Sequence, residues 1–343
     1  MSRDALFESI AELTALHSPS GVEGEMDELL LDRLAKLGDP VTDAAGNIIL
    51  RIGGDGASAV SLLAHKDEIG ALVKRVEDDG RLIAQTLGDA HPWIWGEGPV
   101  EILGRNDTVL GVLSFGARHV SDESPQRKQL DDTPVKWKDV WIETKLSDRR
   151  LAAAGVTAGC RIVPARWRKR AVRLGDDGEY AASHAMDDKV AVVVLLELAE
   201  RLRQPARPVE LVFSAREEVG CQGAQFYARS AASQALVAIE VVPIAKEYRI
   251  DPGPDPVLIR ADGKGPLDDG LSLELADAAL ALGIDVRHAV VTRYGSDASV
   301  VRDSGRIPRT ACLAIGTENT HGFEIVHLDA VESCVRMLER WLG

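Results

Sequence analysis

Along the first forty positions, apolar residues recur three or four apart: Leu6, Ile10, Leu13 and Leu16, then Met26, Leu29, Leu30, Leu34 and Leu37. That spacing predicts two amphipathic helices, divided by the breaker Ser18-Pro19-Ser20-Gly21. Gly46-Asn47 marks a turn before the apolar run Ile48 to Ile52, and a second run, Ala59 to Ala64, ends at His65. From about Ala71 to Arg166 the texture changes to short β segments split by Asp-Gly, Asn-Asp and Pro-Gly turns: 71–76, 81–87, 100–103, 109–115 and 140–144. Asp79-Gly80 is a hairpin signal, and one short helix is expected near Ser147 to Ala154.

From about Tyr180, apolar strands alternate with helices. Helices are expected at 190–202, 222–232, 271–282 and 329–342, and strands at 209–214, 236–242, 286–291 and 310–315. Fully apolar strands alternating with helices imply a sheet covered on both faces. The expected fold is therefore α/β: one domain formed by 1–68 and 174–343, interrupted by a β-rich insert over 69–173.

The chain's 343 residues fit two domains. With 40 Lys and Arg against 54 Asp and Glu, the net charge is −14. That balance argues against nucleic acid or an anionic membrane as the partner, since both require basic patches. The longest purely apolar run, Val190 to Leu196, is seven residues, against the roughly 20 of a spanning helix. The start lacks the basic and apolar stretches of a signal peptide. Cys160, Cys221, Cys312 and Cys334 are scattered, without a C-x-x-C pair. Free thiols in a reducing compartment, and hence a cytoplasmic location, are expected.

Five polar clusters sit where apolar strands end, the place where open α/β sheets hold ligands. In Ala64-His65-Lys66-Asp67-Glu68, His65 is either a satisfied strand-end histidine or a metal ligand oriented by Asp67. In Met186-Asp187-Asp188-Lys189, the aspartates either cap the following helix or one of them faces a metal. In Arg216-Glu217-Glu218-Val219-Gly220, the glutamates are either a solvated acidic helix start or a ligand beside a general base. Glu240 interrupts an apolar strand and requires a partner, a metal or a buried Arg. His321 lies in the loop Asn319 to Glu324. Taken together these side chains form an N/O donor set suited to zinc or cobalt. Asp187 is able to bridge two ions, and amide hydrolysis is the natural chemistry of such a pair.

At these residues the sequence resembles metallopeptidase family 42, the glutamyl, deblocking and tetrahedral aminopeptidases. The stretches AHKDEIG, MDDK, REEVG and THGFE match that family's motifs in order and spacing, as does Gly295-Ser296-Asp297-Ala298. The resemblance implies that His65, Asp187 and Glu240 hold one divalent ion (Zn2+ or Co2+), and Asp187, Glu218 and His321 a second. It also implies that Asp67 orients His65 and that Glu217 is the general base toward the bridging water. An α/β/α sandwich with an inserted β-barrel or PDZ-like dimerisation domain is the implied fold. The implied substrate is a short peptide, and the implied assembly a homo-oligomer, from a dimer building block up to twelve subunits. Four features depart from the pattern: Glu240 replaces the usual Asp, Val241 to Arg249 is unlike the family, Lys189 stands where Arg or a similar residue is common, and Gly rather than Ser follows His321. Glu at that ligand position accompanies carboxypeptidases and deacylases in the wider clan, so a deacylase or dipeptidase is the alternative. A metal-free scaffold is the non-enzymatic one. Neither H-E-x-x-H, G-x-S-x-G nor a P-loop is present. Adjacent glutamates also sit poorly for a glycosidase. A preference for acidic side chains would require Arg260, Lys264 or Arg293 at the pocket.

Overall fold

The computed structural model describes residues 1–54, 59–117, 119–121 and 134–343. The chain divides into two compact units, Met1–Glu68 with Ala171–Gly343, and Ile69–Arg170. Among the described residues no helix is long and apolar enough to cross a membrane.

The first unit opens with α1 (Arg3–Ala15), α2 (Gly24–Leu34), β1 (Val41–Thr42), β2 (Ile48–Ile52) and β3 (Val60–His65). The second unit carries β4 (Gly70–Val76), β5 (Leu82–Leu87), α3 (Pro92–Trp95), β6 (Gly98–Leu103) and β7 (Thr108–Ser114), then β8 (Trp141–Glu143), α4 (Asp148–Ala153) and β9 (Arg161–Pro164). The chain returns to the first unit with β10 (Val172–Leu174), β11 (Tyr180–His184), α5 (Lys189–Arg201), β12 (Val209–Ser214) and α6 (Gln222–Ala228). There follow β13 (Ala235–Pro243), β14 (Val257–Asp262), β15 (Gly265–Pro266), α7 (Asp269–Leu280) and β16 (Arg287–Val290). It closes with α8 (Asp297–Asp303), β17 (Arg309–Glu318), β18 (Phe323–His327) and α9 (Leu328–Leu342).

In the first unit the strands form one sheet in the order β1-β2-β12-β3-β13-β17-β18-β11-β10, with β14 beside β17. Its centre, β12-β3-β13-β17, is parallel. Alternation along these strands feeds two cores. Val60, Leu62 and Ala64 of β3, with Val237, Ile239 and Val241 of β13, pack on the side of α1, α2, α5, α7 and α9. Leu63, Leu236, Ala238 and Val242 pack on the other side, with Ala224 and Tyr227 of α6 and Ala298 and Val301 of α8. Helices thus cover both faces, the α/β/α arrangement that apolar parallel strands require.

The second unit is a closed barrel in the order β4-β5-β8-β7-β6-β9. Ala71, Val73, Leu82, Val100, Ile102, Leu113, Ile142 and Ile162 fill it. Gly111 faces that filling so closely that a Cβ there would lie 2.5 Å from the Ile142 methyl. Trp95 and Trp137 meet edge to face at 5.6 Å, and the Trp137 indole donates to the Ala90 carbonyl.

The helix expected over 222–232 ends at Ala228. Within the Gly295 to Ala298 segment Ser296 caps α8, exchanging hydrogen bonds with Ser299.

Candidate active site

Strand register brings the polar clusters to one edge. Ser214 at the end of β12 is paired with His65 at the end of β3. Pairing of β3 with β13 stops at Leu63 and Ala238, so Glu240, two residues further on, comes level with His65. All these parallel strands end on the same side, where their loops surround one space.

Asp187 stands at the centre of that space. Its Oδ1 is 3.1 Å from His65 Nε2 and its Oδ2 is 3.4 Å from His321 Nε2. His65 Nε2 is also 3.9 Å from Glu240 Oε2 and 3.9 Å from Glu217 Oε2. His321 Nε2 is 3.9 Å from Glu218 Oε2. Two groups of donor atoms result, His65–Asp187–Glu240 and Asp187–Glu218–His321, each with its atoms within 4.8 Å of one another. Both share Asp187.

The loops are held by buried carboxylates. Asp67 Oδ1 accepts the Glu217 amide at 2.9 Å, and Oδ2 accepts the Glu218 amide at 3.3 Å and the Ser20 hydroxyl at 2.5 Å. His65 Nδ1 faces Asp67, 3.1 Å from its carbonyl and 3.4 Å from Oδ1. Glu324 grips the other side: Oε2 accepts the amides of Met186 and Asp187, and Oε1 that of His321. Asn47 braces the Glu217 loop, accepting from Ala215 N and donating to the Gly223 carbonyl, both at 2.9 Å.

The simpler structural roles do not describe these groups. Asp188 occupies the cap position of α5, but its side chain makes no cap bond and accepts the His65 amide instead. Glu217 and Glu218 are not a solvated helix start, their side chains being 13% and 7% exposed.

Burial dominates the electrostatics. It raises the carboxyls of Glu218, Glu240 and Asp188 well above the usual range, and neighbouring acids add to it. Burial likewise pushes Glu217 to about 7, against the pull of His65 and with a further push from Asp297. Burial opposes a charged His321, yet Asp187 and Glu218 carry it to about 10. For His65 the bonds to Asp187 and Asp67 likewise outweigh burial and raise it. Asp187 moves the other way: its two histidines overcome burial and hold it below the usual carboxylate range.

The donor set fits divalent cations. Carboxylates far outnumber the two histidines here, and uncompensated buried charge is costly. Glu218 Oε1 and Asp188 Oδ1 are buried without a hydrogen-bond partner. Hard and borderline ions accept this mixture of carboxylate and imidazole. Beside the cluster, a cavity of about 580 Å³ is lined by Glu217, Glu218, Cys221, Gln225 and Lys264, among others. Lys264 is the candidate basic residue that lines this cavity, with its Nζ 4.0 Å from Asp303, which also lines it. Arg260 is paired with Asp269, and Arg293 is exposed.

Sequence reasoning assigned no role to Ser20, Asn47, Glu324, Asp297 or Cys221. Ser20, Asn47, Glu324 and Asp297 each lie inside a segment singled out as a turn or motif, but their partners include residues distant in sequence; Cys221 follows the Glu217 motif directly.

Comparison with known proteins agrees with this architecture. The sequence model described as M42 glutamyl aminopeptidase matches residues 46–337. The glutamyl aminopeptidase of Lactococcus lactis is 25% identical over 279 residues, covering 79% of this chain and 73% of that protein. The lysyl aminopeptidase of Pyrococcus furiosus is 22% identical over 336 residues, covering 92% and 90%. Among solved structures, the Pyrococcus horikoshii TET1 peptidase, which can assemble into a tetrahedron or a large octahedral shell, superposes with a TM-score of 0.87. It is 25% identical, and the match covers 98% of this chain and 99% of that one. With the match spanning most of its length, the chain belongs to the M42 glutamyl aminopeptidase family and is an aminopeptidase, a hydrolase of peptide bonds.

Proposed function

We propose that this aminopeptidase releases N-terminal residues from short peptides with the help of two divalent ions, and that Glu217 is its general base. The observation that carries the reading is Asp187, whose two oxygens each face a different histidine. His65, Asp187 and Glu240 would hold one ion, and Asp187, Glu218 and His321 the other. Zinc or cobalt suits these donors. When bound, the pair supplies Lewis-acid polarisation of the scissile carbonyl and acidifies water.

The chain's own residues do the rest. Glu217 is largely buried at the edge of the centre, within reach of a water held there, which is the placement a general base requires. Its Oε2 faces the centre. It takes the proton of the attacking water as the new C–O bond forms, then passes it to the leaving nitrogen as the C–N bond breaks. Asp67 positions both partners, facing His65 and receiving the amides of Glu217 and Glu218. Lys264 lines the adjoining cavity and would favour a negatively charged side chain there. Assembly into a homo-oligomer and a cytoplasmic location belong to the same reading. The four cysteines, none in a disulfide, agree with the latter.

The test combines metal content with hydrolysis of amino-acid amides, free and N-acetylated, before and after chelation. Two metals per chain and chelator-sensitive release from free amino-termini are expected. Glu217→Gln should keep the metals and lose about 10²- to 10⁴-fold in kcat. Activity confined to the acetylated compounds would move the enzyme to the deacylase side, where Glu240 points. Sedimentation of a lone monomer would overturn the assembly.

A further inference from the structure

Next to the two-histidine centre lies another set of donors, Glu217, Cys221 and Asp297, with one atom of each within 4.8 Å of the others. They come from three elements: the loop after β12, the N-cap of α6 and the first turn of α8. Cys221 Sγ is 3.0 Å from Glu217 Oε1. Asp297 is 1% exposed, its Oδ2 accepts the Ser214 hydroxyl at 2.5 Å, and its Oδ1 has no hydrogen-bond partner. An oxygen of that kind, buried and unmatched, is destabilising until a donor or cation meets it. Glu217 and Cys221 also line the cavity of about 580 Å³, so an ion has a route to them.

We propose that Glu217, Cys221 and Asp297 form a third metal site, which takes a soft divalent ion such as Cd2+ or Zn2+ and, when filled, withdraws Glu217 from catalysis. The thiolate selects the ion: sulfur ligands favour Zn2+ and softer cations, whereas Mg2+ and Mn2+ prefer oxygen. Three protein donors would leave such an ion room for a further ligand, such as water. On binding, a sulfur–metal bond forms and the thiol proton leaves to solvent, with no change of oxidation state. The divalent ion then balances all but one of the three negative charges carried by two carboxylates and a thiolate. Inhibition follows from how Glu217 is placed. Its Oε1 faces Cys221 while its Oε2 faces His65, so an ion held on Oε1 fixes the carboxylate in the third site and keeps it from following the reacting water. The inhibition rests on the reading of Glu217 as the base; the site itself does not.

The experiment adds Cd2+ to enzyme already loaded with its catalytic metals. None of the donors of the two-metal centre carries sulfur, so the ultraviolet thiolate-to-cadmium charge-transfer absorption reports the third site alone. Cys312 and Cys334 are fully buried, and Cys160, half-buried, is removed by Cys160→Ser as a control. The absorption and the loss of activity should rise together, survive Cys160→Ser, and fail to appear with Mg2+. In Cys221→Ser the absorption should vanish, and the cadmium needed for half-inhibition should rise about tenfold or more. Asp297→Asn should weaken both readouts in a second, independent variant. Absence of the absorption, or its persistence in Cys221→Ser, overturns the site and leaves the Glu217 reading to its own cadmium-free test. Absorption that depends on Cys221 without any loss of activity overturns the inhibition and counts against Glu217 as the base.

Discussion

Chelation should make the stability of this enzyme fall as pH rises from about 5.5 to 7.5. Burial raises the carboxyls of Glu217, Glu218, Glu240 and Asp188. A group raised in the folded state holds its proton more tightly there than in the unfolded chain. Between the ordinary carboxylate range and the raised value, the folded chain therefore carries more protons, and stability drops with pH. His321, carried to about 10, acts in the same direction above its ordinary range. Asp67 and Asp187 are lowered, and their opposite contribution is confined to acid below the ordinary carboxylate range. For Glu217 alone, moving from 4.5 to about 7 makes ionisation in the folded chain costlier by about 3 kcal/mol. Roughly 2 kcal/mol of that falls between pH 5.5 and 7.5, and at about 1–2 °C per kcal/mol for a chain of this length Glu217 alone lowers Tm by about 2–4 °C. Calorimetry of the chelated protein across this pH range measures it. Added Zn2+ should restore the Tm and reverse the slope, because its ligands bind deprotonated and affinity rises with pH. Glu240→Gln should flatten the slope of the chelated protein. A Tm of the chelated protein that is level or rises with pH would refute the assignment of these buried carboxyls as uncompensated.

Three further outcomes are expected. Gly223→Ala places a Cβ 2.2 Å from Asn47 Oδ1 and 2.4 Å from the Ala215 carbonyl, so both Tm and kcat should fall, by about 1–3 kcal/mol in stability. Lys264→Ala should reduce kcat/KM for Glu and Asp amides relative to Leu amide about fivefold, the worth of a solvent-screened pair, while Arg260→Ala leaves the ratio unchanged. Lys66 is buried between Glu23 and Asp27, and Lys66→Ala should lower stability by about 3–5 kcal/mol in a denaturant titration.

Short-range pattern carried much of this structure. The strand predicted over 209–214 and that over 48–52 have the bounds observed, because unbroken apolar runs between turn residues leave little choice of ends. The five barrel segments read from the sequence all appear, whereas β9 (Arg161–Pro164) was hidden by its short length and its Pro. Helix α8 is not among the expected helices, since it is short and its capping box uses Ser296 and Ser299 rather than an acidic partner. At the site, the metal-type residues were visible through their places at strand ends. Their supports were not. Asn47 contacts Gly223 across 176 positions, and Glu324 contacts Met186 across 138; no local period encodes such pairings, which follow from the order of strands in the sheet.

One of those supports sets a mechanical property of the enzyme. Asp67 ties the end of β3 to a loop 150 residues away through the amides of Glu217 and Glu218, and through Ser20 it also reaches the turn between α1 and α2. A single carboxylate thereby joins three remote pieces of chain, adding to the pairing of β3 with β12. The spacing between proton acceptor and neighbouring donor atoms is then a property of that joint rather than of each side chain. Substitutions at His65, Glu217 and Glu218 should accordingly be non-additive, and their coupling should collapse once Asp67 is replaced.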